Sequence, residues 1–413
     1  MTSTSSTPAA DSSRMTADER RSSLGLALIF ALRMLGLFLV VPVFPLAAAS
    51  YTGATPANIG LAMGIYGLTQ ALLHLPLGMA SDRFGRKRLI TLGMLVFALG
   101  CVVAALATSI DGLLIGRALQ GAGAVSAAVT ALLADLTRDS VRTKAMAIIG
   151  GSIGLVFSLA LVISPLLAGW IGLSGMFWLV AVLALLGIGG LYLLVPEEPV
   201  RLRAAPARGS LWQTLQHPTL LRLNAGVFVL HAVQLAMWMV VPALLVQAGL
   251  AQPQHWQVYL PAVLGSFVLM GALLFRMERA GKLRLMLLVS MVLILLVQLA
   301  LWWINDQLQY QSLPSLWQLA LLLLVFFTGF NILEASQPSL VSRHAPEPLR
   351  GMALGVYNTV QSLGLFVGGA VGGILLKQDG PVAVSLACIA LMLLWLVVAW
   401  NMPVLSRVSV NKS

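Results

Sequence analysis

The stretch Gly78-Met79-Ala80-Ser81-Asp82-Arg83-Phe84-Gly85-Arg86-Lys87-Arg88 packs an acid and a run of bases between two long apolar segments. Charge gathered at one point between segments that carry none marks a tight loop joining two membrane-crossing helices, and Gly85 can turn the chain there. The composition agrees. Of 413 residues, 59% are hydrophobic and 9% charged, with mean hydropathy +0.93; a soluble domain needs more charge than this to solvate its surface. The chain is therefore read as a polytopic membrane protein whose first partner is the lipid bilayer. A net charge of +11 would suggest nucleic acid in a soluble chain, but here the basic residues mark loops, and no nucleic-acid partner is expected. Cys101 and Cys388 both lie inside apolar runs, which leaves no disulfide framework and no metal-type Cys/His spacing. Neither a metal nor another cofactor is expected.

Outward from the loop, apolar runs long enough to cross a bilayer, which takes ~20 helical residues, recur through the chain. In the first half they fall at about 24–49, 58–80, 89–108, 112–134, 145–168 and 175–195. Six more follow at about 223–248, 257–276, 283–303, 315–338, 351–376 and 381–402. The expected fold is all-α: twelve transmembrane helices in two six-helix bundles, 23–195 and 223–402. Residues 1–22, rich in Ser, Thr and Ala, read as a disordered tail. Arg20-Arg21 is not an export signal, because the apolar run after it is too long to be a cleaved one. Residues 196–222 read as a polar linker with room for a short surface helix, and 403–413 as a second tail.

Lys and Arg concentrate in alternate loops, at 83–88, 138–144, 201–222, 276–284 and 343–350, and in both tails. That asymmetry predicts cytoplasmic termini and a cytoplasmic linker, leaving Arg33 and Arg117 as the bases inside the membrane. The halves also echo one another, since Asp82-Arg83-Phe84-Gly85-Arg86 is matched by Glu278-Arg279-Ala280-Gly281-Lys282, each after the second span of its half. Parallel duplication of this kind is the mark of a transporter whose bundles rock about a midplane site.

Gly78, Asp82, Arg83, Gly85, Arg86 and Lys87 match every position of Gly-x-x-x-Asp-Arg-x-Gly-Arg-Arg/Lys, the loop motif between spans two and three of the major facilitator superfamily, which the chain resembles over all its predicted spans. The resemblance implies a conformational latch. Gly78 would let a helix approach closely, Asp82 would accept from the amino end of span eleven near Gly351, and Arg83 and Arg86 would pair with Asp135, with Arg138 close by. Leu274 replaces Gly78 in the second-half echo, so the first loop is expected to dominate. Arg117, Gln120 and Gly121 resemble the family's Arg-x-x-Gln-Gly motif in span four. An arginine in hydrocarbon normally faces a cavity or partner, although Arg117 lies roughly 7 Å from the outer end and has a snorkelling alternative.

Span five partly resembles the antiporter motif of proton-coupled exporters, with Gly151, Pro165 and Gly169 in place and Ala160, Ser164 and Ala168 as small substitutes. Span eleven repeats the skeleton as Gly355, Gly364, Gly368, Gly369, Gly372 and Gly373. Close helix packing alone would also select such residues.

Ionisable groups far from loops are the candidates for proton coupling and substrate binding. Arg33 lies roughly 13 Å and Glu334 roughly 6 Å from the cytoplasmic ends of their spans, at 1.5 Å per residue. His231 and His74 fall in the same slab. In the family, spans one, four, seven and ten line the cavity, so Arg33, His231 and Glu334 are expected to approach one another there. Glu334 is read as the titrating group with Arg33 or a cationic substrate as its partner; a fixed Arg33–Glu334 ion pair is the alternative. His74, beside Pro76, also reads as a packing residue. Tyr66, Gln70, Gln234, Trp238, Asn331, Tyr357, Asn358 and Gln361 complete the candidate cavity or act as interhelical hydrogen-bonding residues.

Segments 32–36, 64–70 and 138–147 resemble the drug:proton antiporter branch. That resemblance implies a monomeric bacterial inner-membrane transporter, driven by protons and exporting amphiphilic or cationic small molecules. Proton-linked uptake of a sugar or organic acid is the first alternative, and a receptor or scaffold without flux the second. Some relatives carry an added soluble domain at the carboxyl end; none is expected here. No phosphate loop, metal cluster or nucleophile–base pair points to an enzyme.

Overall fold

In the computed structural model, residues 15–123, 125–198, 211–308, 313–346 and 349–401 are described. Their regular structure is helical throughout. The first half comprises α1 (Ala17–Val40), α2 (Phe44–Ala48), α3 (Pro56–Phe84), α4 (Arg86–Leu106), α5 (Ile110–Ala122), α6 (Ser126–Asp135) and α7 (Asp139–Leu194). After α8 (Leu211–Gln216), the second comprises α9 (Pro218–Trp238), α10 (Val241–Gln247), α11 (Trp256–Arg279), α12 (Leu283–Gln307), α13 (Leu316–His344), α14 (Arg350–Gln378) and α15 (Gly380–Ala399).

Among the described residues, 11 helical segments are long and apolar enough to cross a membrane. One of them, α7, has 56 residues and a break at Gly172, where φ is 64° and ψ −178°. Its two arms run in opposite directions. Arg138, at its start, bonds Glu19 near the start of α1; Ser164 bonds the Leu39 carbonyl at the far end of α1; and Leu194 returns to lie against Gly25. With the arms counted apart, the described residues hold twelve such segments. Glycine is needed at the reversal because a left-handed φ strains any residue with a Cβ.

Two boundaries differ from expectation. α1 begins at Ala17, so residues 17–22, read as tail, form its first turns; Thr16 accepts from the Glu19 N–H and Glu19 reaches back to Thr16, a reciprocal cap. α9 begins at Pro218, inside the expected linker, with proline at the position where its missing N–H costs nothing. Residues 1–14, 199–210 and 402–413, which hold most of the expected tails and part of the expected linker, lie outside the described residues.

The halves meet along α3 and α14. A Cβ on Gly60 would lie 2.3 Å from the Gly369 carbonyl oxygen, one on Gly64 2.6 Å from that of Phe366, and one on Gly67 2.4 Å from that of Ser362. Only glycine lets the two backbones come this close. The contact is tight from Pro56 and Gly373 at the Gly172 end as far as Leu75 and Gly355, while around Gly351 a Cβ would meet nothing within 4 Å. The second seam behaves alike. Gly169 of α7 packs on Pro253, and Gln252 donates to the Val43 carbonyl at 3.3 Å, whereas Gly150, Gly151, Gly154 and Gly271 face open space. Between them, Phe157 of the first half, edge-on to Phe38 at 5.0 Å, meets Phe327 edgewise and Phe330 tilted in the second half, with centroids 6.1 and 6.3 Å apart. The molecule is thus closed at the Gly172 end and at its waist, and open at the end bearing the 82–88 loop.

Candidate functional site

The 82–88 loop turns at Gly85, where φ is 97°, and α4 starts at once. Arg86 is buried and holds the corner: its guanidinium donates to Asp82 and Ser81 and meets Asp135 at 3.4 Å. Arg83, expected to share Asp135, lies instead over the Phe84 ring at 5.6 Å, in the last turn of α3, while Arg86 starts α4 on the other side of the turn at Gly85. Gly78 admits α6, whose Ala127 would be 3.3 Å from an added Cβ. The expected docking of Asp82 at the start of α14 finds that end open around Gly351.

Two acids that sequence reading missed complete the loop. Glu198 accepts from the backbone N–H groups of Arg86 and Lys87 at 2.9 and 3.1 Å, capping α4 where its donors lack helical partners. Lys87 in turn donates to the Val195 carbonyl at 2.7 Å. Glu19 takes both arms of Arg138, at 2.8 and 3.0 Å, as well as its backbone N–H. Those bonds hold Arg138 above the ordinary arginine value, so it stays charged. The pattern Thr16-x-x-Glu19 before an apolar run signals the Glu19 cap. Nothing local signals Glu198, whose partners lie more than a hundred residues away in the chain.

Deeper in the first half, Arg33 is 0% exposed. Its Nη2 donates to the Tyr66 hydroxyl at 2.9 Å and to Gln70 at 3.2 Å, its Nε and Nη1 have no acceptor, and the guanidinium stands 5.8 Å from the Phe97 ring. Gln70 then donates across the seam to Ser362 of α14 at 3.0 Å. The ring of Tyr66 is covered by Arg117, 5.0 Å from the ring centre. Arg117 also donates to Gln120 at 2.8 Å and to the Ala62 carbonyl at 3.4 Å, while Gly121 brings α5 so near α3 that a Cβ would lie 2.2 Å from the Tyr66 carbonyl. Arg117 is therefore buried among partners and does not snorkel. His74 is buried and packs against Ser126 at 3.5 Å.

A second centre lies in the other half. His231 Nε2 stands 3.5 Å from Glu334 Oε2, and Gln361 reaches both, at 2.7 Å to His231 and 3.2 Å to Glu334 Oε1. Glu334 Oε2 has no hydrogen-bond donor, and the side chain is 37% exposed while His231 is buried. Phe330 of the waist lies 5.8 Å from the His231 ring. The expected meeting of Arg33 with Glu334 does not occur. Each is occupied within its own half, and the link between centres is α14, whose adjacent residues Gln361 and Ser362 serve one each.

The polar cavity candidates divide accordingly. Tyr66 and Gln70 serve Arg33, Gln361 serves Glu334, and Asn358 offers its carbonyl to Ser362. Trp238, edge-on to Tyr259, Asn331, bonded to Ser266 at 2.9 Å, and Tyr357, bonded to Gln337 at 3.4 Å, are buried between helices of the second half instead. Gln234 is also buried, 8% exposed. In α7, Gly151 faces open space, Pro165 follows the Ser164 bond to Leu39, and Gly169 meets Pro253. The glycines of α14 serve two sides: Gly369 and Gly373 meet α3, while Gly364, Gly368 and Gly372 meet α9.

The family model of the Major Facilitator Superfamily matches residues 26–369 and, in a second alignment, 277–413. The chain belongs to the major facilitator superfamily. Membership makes it a membrane transporter rather than an enzyme. The inner membrane transport protein YajR of Escherichia coli is 42% identical over 392 residues, spanning 94% of this chain and 85% of that one. The multidrug resistance protein MdtH of Aeromonas hydrophila is 28% identical over 371 residues, 86% and 87% of the two chains. Among solved structures, a bacterial homologue of the human lysosomal transporter Spinster, inward-facing and occupied, superposes with TM-score 0.70 at 16% identity, over 94% of this chain and 96% of that one. The last shares the superfamily's fold.

Proposed function

We propose that this superfamily member is a proton-coupled secondary transporter that exports amphiphilic small molecules across the bacterial inner membrane by alternating access. The cluster of His231, Glu334 and Gln361 carries the reading. A carboxylate beside an imidazole, part-exposed at the open end and hydrogen-bonded by an amide that can serve either protonation state, is built to take up and release a proton. Gln361 sits next to Ser362 on α14, so a change at Glu334 reaches the seam that the halves must open.

The basic loops support cytoplasmic termini, which makes the observed form inward-open. The 82–88 loop acts as the latch. Here Arg86 is held within the first half by Asp82, Ser81 and Asp135, and closing this end brings α14 onto the loop, as α14 already lies on α3 further along. The similarity to MdtH supports efflux over uptake. Inverted vesicles carrying a pH dye in the lumen test the coupling. Adding an exported amphiphile is expected to release lumenal protons with the wild type and not with Glu334→Gln; equal release by both would remove Glu334 from the mechanism, and lumenal acidification would reverse the direction.

A further inference from the structure

The six apolar runs of the first half contain no Asp or Glu, yet they hold Arg33 and Arg117; the second half holds one intramembrane acid, Glu334. Two guanidinium charges therefore face one carboxylate across the seam. Arg117 is accommodated by Gln120, the Ala62 carbonyl and the faces of Tyr66 and Phe44. Arg33 is not. It is fully buried, and two of its nitrogens lack any acceptor, an arrangement that a purely structural arginine avoids because an unpaired buried charge is costly.

We propose that the transported molecule carries an anionic group, a carboxylate, sulfonate or phosphate, and that Arg33 receives it. The guanidinium offers a planar fork of donors suited to these oxyanions. It lies one residue behind the seam, since Gln70 accepts from Arg33 on one side and donates to Ser362 on the other. An oxyanion that takes the place of the Gln70 oxygen gains Arg33 and frees Gln70 from α14, so binding loosens the contact that must part. A cationic substrate would meet two guanidinium charges with only Glu334 to offset them. This inference rests on the transport reading above and specifies the ligand of that site.

Equilibrium dialysis of the full chain in nanodiscs, with empty nanodiscs as blank and no proton gradient, tests it with a matched series: octanoate, octanesulfonate, octyl phosphate and octyltrimethylammonium. At least one anion is expected to bind the wild type, about tenfold weaker to Arg33→Gln, with partial recovery in Arg33→Lys, while the cation shows no dependence on residue 33. The ranking of the three anions identifies the oxyanion. Should Arg33→Gln fail to fold, Arg33→Lys decides: loss of the fork weakens anion binding if the proposal holds, and unchanged affinity overturns it. Preference for the cation, anion affinity independent of residue 33, or no anion binding to the wild type at millimolar concentration each overturns it too. Because no gradient is applied, failure of proton coupling at Glu334 leaves this outcome unaffected.

Discussion

Tyr66 touches both intramembrane arginines, giving its hydroxyl to Arg33 and its ring face to Arg117. Tyr66→Phe separates the two roles. It keeps the ring and leaves a buried guanidinium donor unmade, so chemical denaturation should show a loss of about 1–3 kcal/mol, and Tyr66→Leu a larger one. Glu198→Gln weakens the cap on α4 and is expected to cost about 1 kcal/mol in the same assay, with no change in substrate affinity. The ionisable residues themselves were legible, because an Arg, His or Glu in an apolar run stands out wherever it falls. Their partners were not: Ser362 for Gln70, Gln361 for Glu334, Glu198 for Arg86. The first two pairings depend on which way a helix is rotated against another, and the third on where the chain runs after α7; nothing in a single apolar run fixes either.

At the scale of elements, the glycines of α3 and α14 set how closely the halves can approach. Gly64→Ala places a methyl 2.6 Å from the Phe366 carbonyl oxygen, a clash with backbone that rotamer changes cannot relieve. It should destabilise the closed seam by about 1–3 kcal/mol and shift the population away from this form. Gly154→Ala, with nothing within 4 Å, should instead stabilise its helix by about 0.5–1 kcal/mol. Cysteine-accessibility labelling along α3 distinguishes the two, rising for the first and unchanged for the second. The apolar runs predicted the spans to within a few residues and left a break between 168 and 175, but did not single out Gly172 within it, nor the extension of α1 back to Ala17. A glycine in a glycine-rich membrane segment carries no mark of being the one with positive φ. The spacing of glycines in α14 was visible; that they face two different helices was not.

For the whole molecule, the closed Gly172 end and the open loop end describe one limb of a cycle. Spin labels introduced as Phe84→Cys and Arg350→Cys, both at exposed positions, should report a distance that shortens when the open end closes. Asp82→Asn should reduce that closure and slow transport while changing stability by no more than about 1 kcal/mol, because Asp82 is itself exposed and the buried Arg86 keeps Ser81 and Asp135. The 82–88 stretch and its echo already suggested two halves; the bonds of Arg86 to Asp82, Ser81 and Asp135 add a corner that the proposed latch needs. The direction in which the molecule stands open was not readable, since every residue of the sequence serves both states. The central claim is that Glu334 carries the proton, and infrared difference spectroscopy across a pH step observes that group directly. A carboxyl band that titrates in the wild type and disappears in Glu334→Gln is the predicted result. An identical set of titrating bands in both proteins would contradict it.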